Sequence, residues 1–397
     1  APVAVVLPGS VAEVQALVRL ANRERLAIVP SGGRTGLSGG AVAANGELVL
    51  ALERMNRVLE LDPAARTLRC QAGVTTRAVQ DCASAHGLCY PVDFASAGSS
   101  QIGGNIATNA GGIRVIRHGM TRDWVLGLTV VTGGGEVLEL NRGLIKNNTG
   151  YDLRHLFIGS EGTLGIICAA TLRLTAPPPP SRVLVLGATG FAAIVEVLQL
   201  FARQLHLSAF EFFSDLALAK VMARHNLPAP LARRAPFYSL IEFDDAGEDA
   251  GATSLDTAAA LCATGIERGW AVDGVVSESL AQARNLWRLR EDISETLAVH
   301  QPYKNDIAVG VARMAEFIEA VENLVAARYP DFEVVWYGHI GDGNLHLNIL
   351  KPDALAVAEF DAHCRTVSTE VAELVARFGG SVSAEHGVGL LKKDYLH

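Results

Sequence analysis

The pattern of hydrophobic and polar positions changes at four consecutive prolines, Pro177–Pro180, near the middle of the chain. Before the prolines, short β-type runs alternate with glycine-rich stretches. One helix is predicted there, over Ser10–Glu24, with Ser10 as the N-cap and Glu13 at the capping-box position. The predicted strands are Leu26–Val29, Leu48–Leu52, Leu68–Ala72, Val125–Thr132 and Thr163–Leu174.

After the prolines, longer amphipathic helices alternate with strands, which is typical of helices layered over an antiparallel sheet. Because a proline run forms a stiff extended connector, we predict two domains, 1–176 and 181–397. The predicted helices lie at about 190–205, 277–300, 313–328 and 355–378. The predicted strands lie near 181–187, 236–243, 271–276 and 332–350, with a further strand at Tyr303–Ile307.

Two histidines flank a predicted hairpin turn in the second half of the chain. Asp342-Gly343 is the dipeptide that a two-residue type I′ turn prefers, because both central residues need positive φ. A turn centred there makes His339 and His346 directly opposed partners on one face of the hairpin. Tyr337 and Asn348 form the next opposed pair on that face.

A carboxylate from Glu385 would complete a His/His/Glu set around a metal ion. Such a set suits zinc, with iron or manganese as alternatives, and leaves coordination positions open for a substrate. The competing interpretation is that the histidines are ordinary strand residues and that Glu385 is a solvated carboxylate.

Three glycine-rich segments in the first half predict a site for a long phosphate-bearing cofactor that lies across several loops. Glycine leaves backbone N–H groups open to close approach by phosphate oxygens. Neither a Walker motif nor the GxGxxG fingerprint is present, and one such loop alone would be an ordinary surface turn. The segments are Pro30–Gly40, Gly98–Gly112 and Gly159–Ile166.

The composition of the chain narrows the classes of function that it can have. A chain of 397 residues with 49% hydrophobic and 19% charged residues indicates a well-packed protein of more than one domain. The net charge of −8 argues against nucleic acid and anionic membrane surfaces as partners. Six cysteines without a CxxC pair, no apolar run of about 20 residues and no signal peptide predict a cytoplasmic protein without a transmembrane segment. Peripheral membrane association stays open.

The glycine-rich segments, together with Lys146–Leu153, resemble the FAD-binding domain of the vanillyl-alcohol oxidase / p-cresol methylhydroxylase fold. Gly338–His346 and Ser383–Gly387 resemble its FAD-linked D-2-hydroxyacid dehydrogenase branch. That branch includes D-lactate dehydrogenase, the glycolate oxidase flavin subunit and D-2-hydroxyglutarate dehydrogenase. The resemblance covers the whole chain. It implies an α+β fold, with a two-lobed FAD-binding domain and a ferredoxin-like substrate cap domain built on an antiparallel sheet.

The resemblance also implies where FAD binds, although Ser31 and Arg34 depart from the usual Arg followed by three glycines. The pyrophosphate would lie against Ser31, Gly32, Gly33, Arg34, Thr35, Gly36 and Leu37. The flavin would be lined by Pro91, Ser99, Ser100, Gly104, Asn105, Thr108 and Asn109, and the adenosine end by Gly162 and Ile166.

The implied reaction is oxidation of a D-2-hydroxy acid to the 2-oxo acid, with hydride transfer from Cα to flavin N5. The metal would bind the α-hydroxyl and the carboxylate and lower the pKa of the hydroxyl. His386, next to Glu385, is the predicted catalytic base. The alternatives for His386 are a fourth metal ligand or a structural histidine.

The resemblance places Arg290 and Lys304 around the substrate carboxylate, and Ser294 and Asn348 complete the predicted set of substrate residues. Arg290 and Ser294 are four residues apart on the helix predicted over Glu278–Val299, so they share a face. The alternative is that the cations are solvated, or that Lys304 pairs with Asp306. Because the metal and two cations exceed what a monocarboxylate needs, we predict a preference for hydroxy acids with a second polar or charged end.

The predicted partners are the hydroxy acid and a non-NAD electron acceptor, which could be an electron-transfer flavoprotein, a quinone or a cytochrome. A homodimer is also predicted. Two other functions compete with this one. The first is a metal-free flavin oxidase of sugars or lactones on the same fold, and the second is a non-redox metal hydrolase.

Overall fold

The two halves of the chain build different sheets, as seen in a computed structural model that describes residues 1–245 and 253–396. The first unit comprises residues 1–114, 118–178 and 385–397, and the second comprises 115–117 and 179–384. The predicted α+β class is confirmed, since helices combine with mostly antiparallel sheets. Residues from 385 onward are grouped with the first unit, whereas the sequence predicted one domain over 181–397.

The first unit contains two sheets, which correspond to the two predicted lobes. The first is parallel with strand order β1-β3-β2, and the second is antiparallel with order β4-β5-β8-β6-β7. The sequence predicted β2, β3, β5, β6 and β8 but not the other three strands. The strands are β1 (Ala4–Val6), β2 (Ile28–Ser31), β3 (Leu48–Ala51), β4 (Val58–Asp62), β5 (Thr67–Gln71), β6 (Val125–Thr132), β7 (Val137–Leu140) and β8 (Gly165–Arg173).

The predicted first helix forms and begins after Ser10, whose hydroxyl accepts the backbone N–H of Glu13 over 3.2 Å. The Glu13 carboxylate accepts the N–H of Gly9 at 2.7 Å and not that of Ser10, so the predicted capping box closes one residue earlier. The early helices are α1 (Val11–Glu24), α2 (Thr76–Ser84), α3 (Ile102–Thr108), α4 (Val115–His118), α5 (Thr121–Trp124) and α6 (Arg154–Phe157).

The second unit is organised around one seven-stranded antiparallel sheet with order β12-β9-β11-β10-β14-β15-β13. Its strands are β9 (Ser181–Ala188), β10 (Leu207–Ser214), β11 (Phe237–Asp244), β12 (Ala271–Val276), β13 (Tyr303–Ala308), β14 (Glu333–His339) and β15 (Asn344–Leu350). Its helices are α7 (Phe191–Ala202), α8 (Asp215–His225), α9 (Ser254–Glu267), α10 (Leu280–Glu291), α11 (Ile293–Ala298), α12 (Met314–Arg328) and α13 (Val357–Arg377).

The prediction of a single helix over Glu278–Val299 is wrong, because α10 and α11 are separated at Asp292. Asp292 has ψ of −4°, and its carboxylate accepts the Nε–H of Arg288 at 3.1 Å. The sequence also missed β10, α8 and α9. Among the described residues, no helix combines the length and the apolar composition that crossing a membrane requires.

The seven-stranded sheet has one apolar face and one polar face, because side chains alternate along each strand. The apolar face is buried under helices and includes Phe210, Phe212, Trp336, Leu347 and Ile349. The opposite face carries the intervening residues of the same strands, among them Glu211, His339, His346, Lys304 and Asp306. The fold therefore collects the charged residues of four strands on one surface of the sheet.

Candidate active site

The β14–β15 hairpin brings its two histidines together, but with a different register from the one predicted. His339 is opposite Asn344, and His346 is opposite Tyr337. The connection is the short 3₁₀ segment Ile340–Asp342 followed by Gly343 at φ +86°, so the predicted type I′ turn on Asp342-Gly343 is wrong. The shift amounts to two residues, which keeps both histidines on the predicted face. Their ring centroids are 5.3 Å apart.

Tyr337 and Asn348 are likewise not opposed, since Asn348 pairs with Val335 on one side and Lys304 on the other. Tyr337 lies against His346 with ring centroids 4.9 Å apart. The side-chain amide of Asn348 is buried, and its Oδ1 has no hydrogen-bond partner among the described residues. All these side chains nevertheless lie on the polar face of the sheet.

Each histidine lies directly opposite a carboxylate on the strand that flanks the hairpin. His339 is opposite Glu211 of β10, and His346 is opposite Asp306 of β13. His339 Nδ1 is 2.7 Å from Glu211 Oε1, whereas His346 Nδ1 is 3.8 Å from Asp306 Oδ1. At His339, the carboxylate at Nδ1 orients the imidazole and leaves Nε2 as the ligand atom, as is common for metal-binding histidines.

Among the described residues, one group of side chains could hold a metal ion. It consists of His339, His346 and Glu385, which is the predicted set. Their ligand atoms all lie within 4.8 Å of one another. Glu385 directly follows Ala384, the last residue of the second unit. Two imidazoles and one carboxylate suit zinc with open positions, so the donor set fits the predicted ion. Metal binding itself stays a prediction.

Arg290 of α10 is buried on the polar face of the sheet and forms an ion pair with Glu211, with Nη2 2.8 Å from Oε2. Its guanidinium carbon lies 4.7 Å from the centroid of the Tyr337 ring. Its Nε–H has no acceptor among the described residues. Arg290 was predicted to meet a substrate carboxylate directly, but one of its charged donors already has a protein partner.

Lys304 on β13 donates from Nζ to Ser294 Oγ over 3.1 Å, so two predicted substrate residues meet. No described residue forms an ion pair with Lys304, and the alternative pairing with Asp306 does not occur. Desolvation of the ammonium by neighbouring residues lowers the pKa of Lys304 below its usual value, although the residue as a whole is exposed. Lys304 therefore offers an uncompensated cation beside Asn348, its opposite residue on β15.

In the first unit, the three predicted glycine-rich loops converge. A Cβ placed on Gly33 would lie 2.1 Å from the carbonyl oxygen of Ser99, so the first and second loops touch through their backbones. Gly162 lies beside Pro30, since a Cβ on this glycine would be 3.1 Å from the proline Cγ. The third loop therefore adjoins the strand that leads into the first.

Several polar groups of these loops fit a bound cofactor. Ser31 Oγ and Gln101 Oε1 are buried without a hydrogen-bond partner among the described residues. A Cβ on Gly36 or on Gly104 would meet no described heavy atom within 4 Å, which leaves bare backbone open to a ligand. Orphaned polar atoms beside open backbone are the features that a pyrophosphate site requires.

Other predicted FAD residues already have partners in the protein. The buried hydroxyl of Ser100 lies 2.9 Å from Thr76 Oγ1, to which Asn105 Nδ2 also donates at 2.7 Å. Thr108 Oγ1 donates to the carbonyl of Gly104, and Asn109 Oδ1 accepts the N–H of Arg122. Arg34, Thr35 and Leu37 are exposed in the first loop, Ser99 is exposed in the second, and Pro91 and Ile166 are buried.

His386 lies in an irregular segment that a carboxylate of the third loop anchors. Glu161 accepts the backbone N–H groups of Val388 and Gly389, both at 2.8 Å. His386 itself is half-buried. Glu161 therefore holds the chain directly after the predicted base, a role that the sequence did not predict.

The sequence also missed Glu211 and Asp306 as partners of the histidines. The signal for Glu211 was a single acidic residue within the apolar run Phe210–Phe213. A charge within such a run is seldom buried without a partner. Asp306 was considered only as a partner for Lys304.

Comparison with known proteins gives matches over both halves of the chain. Residues 2–141 match the family model described as "FAD binding domain", and residues 177–397 match "FAD linked oxidases, C-terminal domain". The chain is 58% identical over 395 residues to "D-2-hydroxyglutarate dehydrogenase" of Xanthomonas citri pv. viticola, covering 100% of this chain and 83% of that protein. The protein of that name from Stutzerimonas stutzeri is 56% identical over 396 residues, with 100% and 84% covered.

More distant relatives extend the similarity. "D-2-hydroxyglutarate dehydrogenase, mitochondrial" of Bos taurus is 39% identical over 395 residues, covering 98% of this chain and 70% of that protein. Among solved structures, alkyldihydroxyacetonephosphate synthase superposes with a TM-score of 0.70 at 19% identity, covering 96% of this chain and 72% of the other. At that identity the structural match supports the fold alone.

Proposed function

We propose a substrate and a mechanism for this chain, which belongs to the FAD-linked oxidase family and is a FAD-dependent oxidoreductase acting on CH–OH donors. The proposed reaction is oxidation of D-2-hydroxyglutarate to its 2-oxo acid, with electrons passed to a non-NAD acceptor. The observation that carries the proposal is the polar sheet face, where two histidines, each opposite a carboxylate, share one surface with the uncompensated Lys304. The names of the relatives support the choice of substrate.

The charges on the sheet face support a bound divalent cation. Around the histidine pair, Arg290 and Lys304 contribute two positive charges, and Glu211 and Asp306 contribute two negative ones, so the formal charges of these four side chains cancel. A dicarboxylate would gain no net attraction from these four side chains. A divalent metal held by His339, His346 and Glu385 would supply the missing positive charge and would lower the pKa of the substrate hydroxyl.

The converging loops of the first unit support FAD binding at the residues that the sequence predicted. Backbone N–H groups around Ser31–Leu37 would hold the pyrophosphate, and the orphaned Ser31 hydroxyl would donate to it. Residues of the second loop, from Ser99 to Asn109, would line the flavin, with Gly162 and Ile166 at the adenosine end. When bound, FAD supplies the hydride acceptor of the reaction.

Lys304 and its neighbours fit the second carboxylate of the substrate. The ammonium lies within hydrogen-bond distance of Ser294, so both groups can donate to one carboxylate oxygen pair. Asn348, opposite Lys304, offers an amide beside them. Arg290, whose guanidinium lies against the Tyr337 ring, would contribute a second positive charge near the substrate. D-lactate has no second carboxylate and would leave Lys304 without an anion.

We assign the proton transfer to His386. A neutral imidazole next to Glu385 can accept the proton of the α-hydroxyl as the carbon is oxidised. Glu161 supports this role because it fixes the backbone of the following two residues. A fixed segment would limit the conformations that the imidazole can adopt during turnover.

The experiment is a comparison of kcat/KM for D-2-hydroxyglutarate, D-malate and D-lactate, with an artificial dye as electron acceptor. We expect D-2-hydroxyglutarate to exceed D-lactate by at least about tenfold, because a hydrogen bond to a charged group contributes about 1.5–3 kcal/mol and D-lactate has no second carboxylate to accept one from Lys304. Equal or faster oxidation of D-lactate would refute the proposed substrate. Oxidation of a sugar lactone, with no reaction of any hydroxy acid, would refute the proposed reaction.

A further inference from the structure

Glu211 contacts both a predicted metal ligand and a predicted substrate residue. It lies on β10, and its side chain is almost fully buried. Oε1 is 2.7 Å from His339 Nδ1, and Oε2 is 2.8 Å from Arg290 Nη2. One carboxylate therefore connects the two groups through its two oxygens.

The chemistry of this contact fixes the tautomer of His339. An ionised carboxylate can only accept hydrogen bonds, so the proton of the neutral imidazole must lie on Nδ1. The lone pair is then on Nε2, the atom that remains for a metal ion. Arg290 stabilises the ionised carboxylate, since a buried carboxylate requires a partner of opposite charge.

The carboxylate opposite the second histidine lies farther from its ring. Asp306 Oδ1 lies 3.8 Å from His346 Nδ1, too far for a direct hydrogen bond. The same Asp306 oxygen accepts the amide of Asn344 at 2.8 Å. His339 is thus the histidine in closer contact with its opposite carboxylate.

We infer that Glu211 is a positioning residue that prepares His339 Nε2 for a divalent cation and holds the Arg290 guanidinium against Tyr337. This inference rests on the proposed metal site. It assigns Glu211 a role in metal binding, in addition to its structural role as a buried residue of β10.

Zinc affinity measured on the FAD-containing protein tests the inference. The bound metal is first removed by a chelator, and Zn²⁺ is then titrated in competition with a chromogenic chelator. Loss of an outer-shell partner weakens metal binding by about 10–100-fold, so we expect that change for Glu211→Gln.

The matched control is Glu242→Gln, a second buried glutamate on the same face of the sheet. Glu242 accepts Ser208 Oγ and Trp287 Nε1, both at 2.8 Å, and neither group is a predicted metal ligand. This variant should lose stability without a change in zinc affinity. Equal weakening of zinc binding in both variants would overturn the inference and indicate a general effect on the sheet.

Glu211→Gln leaves Arg290 buried without its anion, which destabilises the fold. If that variant does not fold, a second variant provides the test. Glu211→Gln combined with Arg290→Met removes both charges and should fold while still showing weak zinc binding. Wild-type zinc affinity in the double variant would overturn the inference. If wild-type protein and His339→Ala bind zinc equally, the proposed metal site itself fails, which is a different result.

Discussion

In the first unit, the residues at the predicted FAD site are glycines and small polar residues on loops, whereas in the second unit the site consists of charged side chains on adjacent strands. Gly33 approaches the backbone of Ser99 so closely that no side chain fits. On the sheet face, by contrast, Glu211 and His339 meet through side-chain atoms. The loop site should therefore be sensitive to added volume, and the sheet site to removed charge or lost ligand atoms.

The largest effect should come from His339→Ala. Because this change removes a direct ligand, zinc affinity should fall by more than the roughly 10–100-fold seen for outer-shell changes, and turnover should fall with it. FAD content should stay unchanged, since the glycine-rich loops are intact. Metal analysis and flavin absorbance of the purified variant measure the two quantities separately.

The control for that variant is His206→Ala, an exposed histidine in the second unit. It should keep both metal and turnover at the wild-type level. Full metal occupancy in His339→Ala would show that the histidine pair is not the ligand set.

Gly33→Ala should produce the reverse pattern. The new Cβ would lie 2.1 Å from Ser99 O, so the first and second loops must separate. We expect loss of bound FAD and a decrease of about 1–3 kcal/mol or more in the free energy of unfolding. Zinc affinity should change little, because the sheet face is untouched.

Gly133→Ala is the matched control in the first unit, since it lies outside the three loops and a Cβ there meets no described heavy atom within 4 Å. Flavin absorbance and thermal unfolding compare the two variants. Normal FAD content in Gly33→Ala would contradict the close approach of the loops.

A smaller, pH-dependent effect should come from Lys304. Its ammonium is charged below its pKa, and burial lowers that pKa. Binding of D-2-hydroxyglutarate should therefore be strongest at lower pH and weaken as the pH rises through the lowered pKa, earlier than for an ordinary lysine. Lys304→Met should lower kcat/KM for D-2-hydroxyglutarate by about 10–100-fold and change that for D-lactate little.

Lys304→Arg separates charge from shape, because a guanidinium stays charged throughout this range. The KM of this variant should stay constant at alkaline pH, where we expect the KM of the wild-type enzyme to rise. A pH profile of KM that is the same for the wild-type enzyme and Lys304→Arg would exclude Lys304 as the titrating group.

Different features of the two units could be predicted from the sequence. The three glycine-rich loops could be recognised from composition, because a cofactor loop is defined by local backbone requirements. The shared face of His339 and His346 could be predicted too, since strand periodicity determines it. The register of the β14–β15 hairpin could not be predicted, because the packing of residues 340–343 decides the conformation of the turn. A Cβ on Gly341 would meet Ile116, which is far away in the sequence.

Glu211 and Asp306 were harder to predict, because their partners belong to other strands. The order of β10, β14, β15 and β13 in the sheet places each carboxylate opposite its histidine. That order is not visible in local patterns. In addition, β10 is a short, largely apolar segment whose periodicity does not separate strand from helix. The division of the helix after Glu291 also depends on side-chain contacts that composition does not reveal.

The most direct test of the account is anaerobic reduction of the bound flavin by D-2-hydroxyglutarate, followed in zinc-loaded and metal-stripped protein. We predict rapid bleaching with zinc and bleaching at least about 100-fold slower without it, with the rate restored when zinc is added back. Equal rates with and without metal, or no bleaching in either sample, would contradict the account.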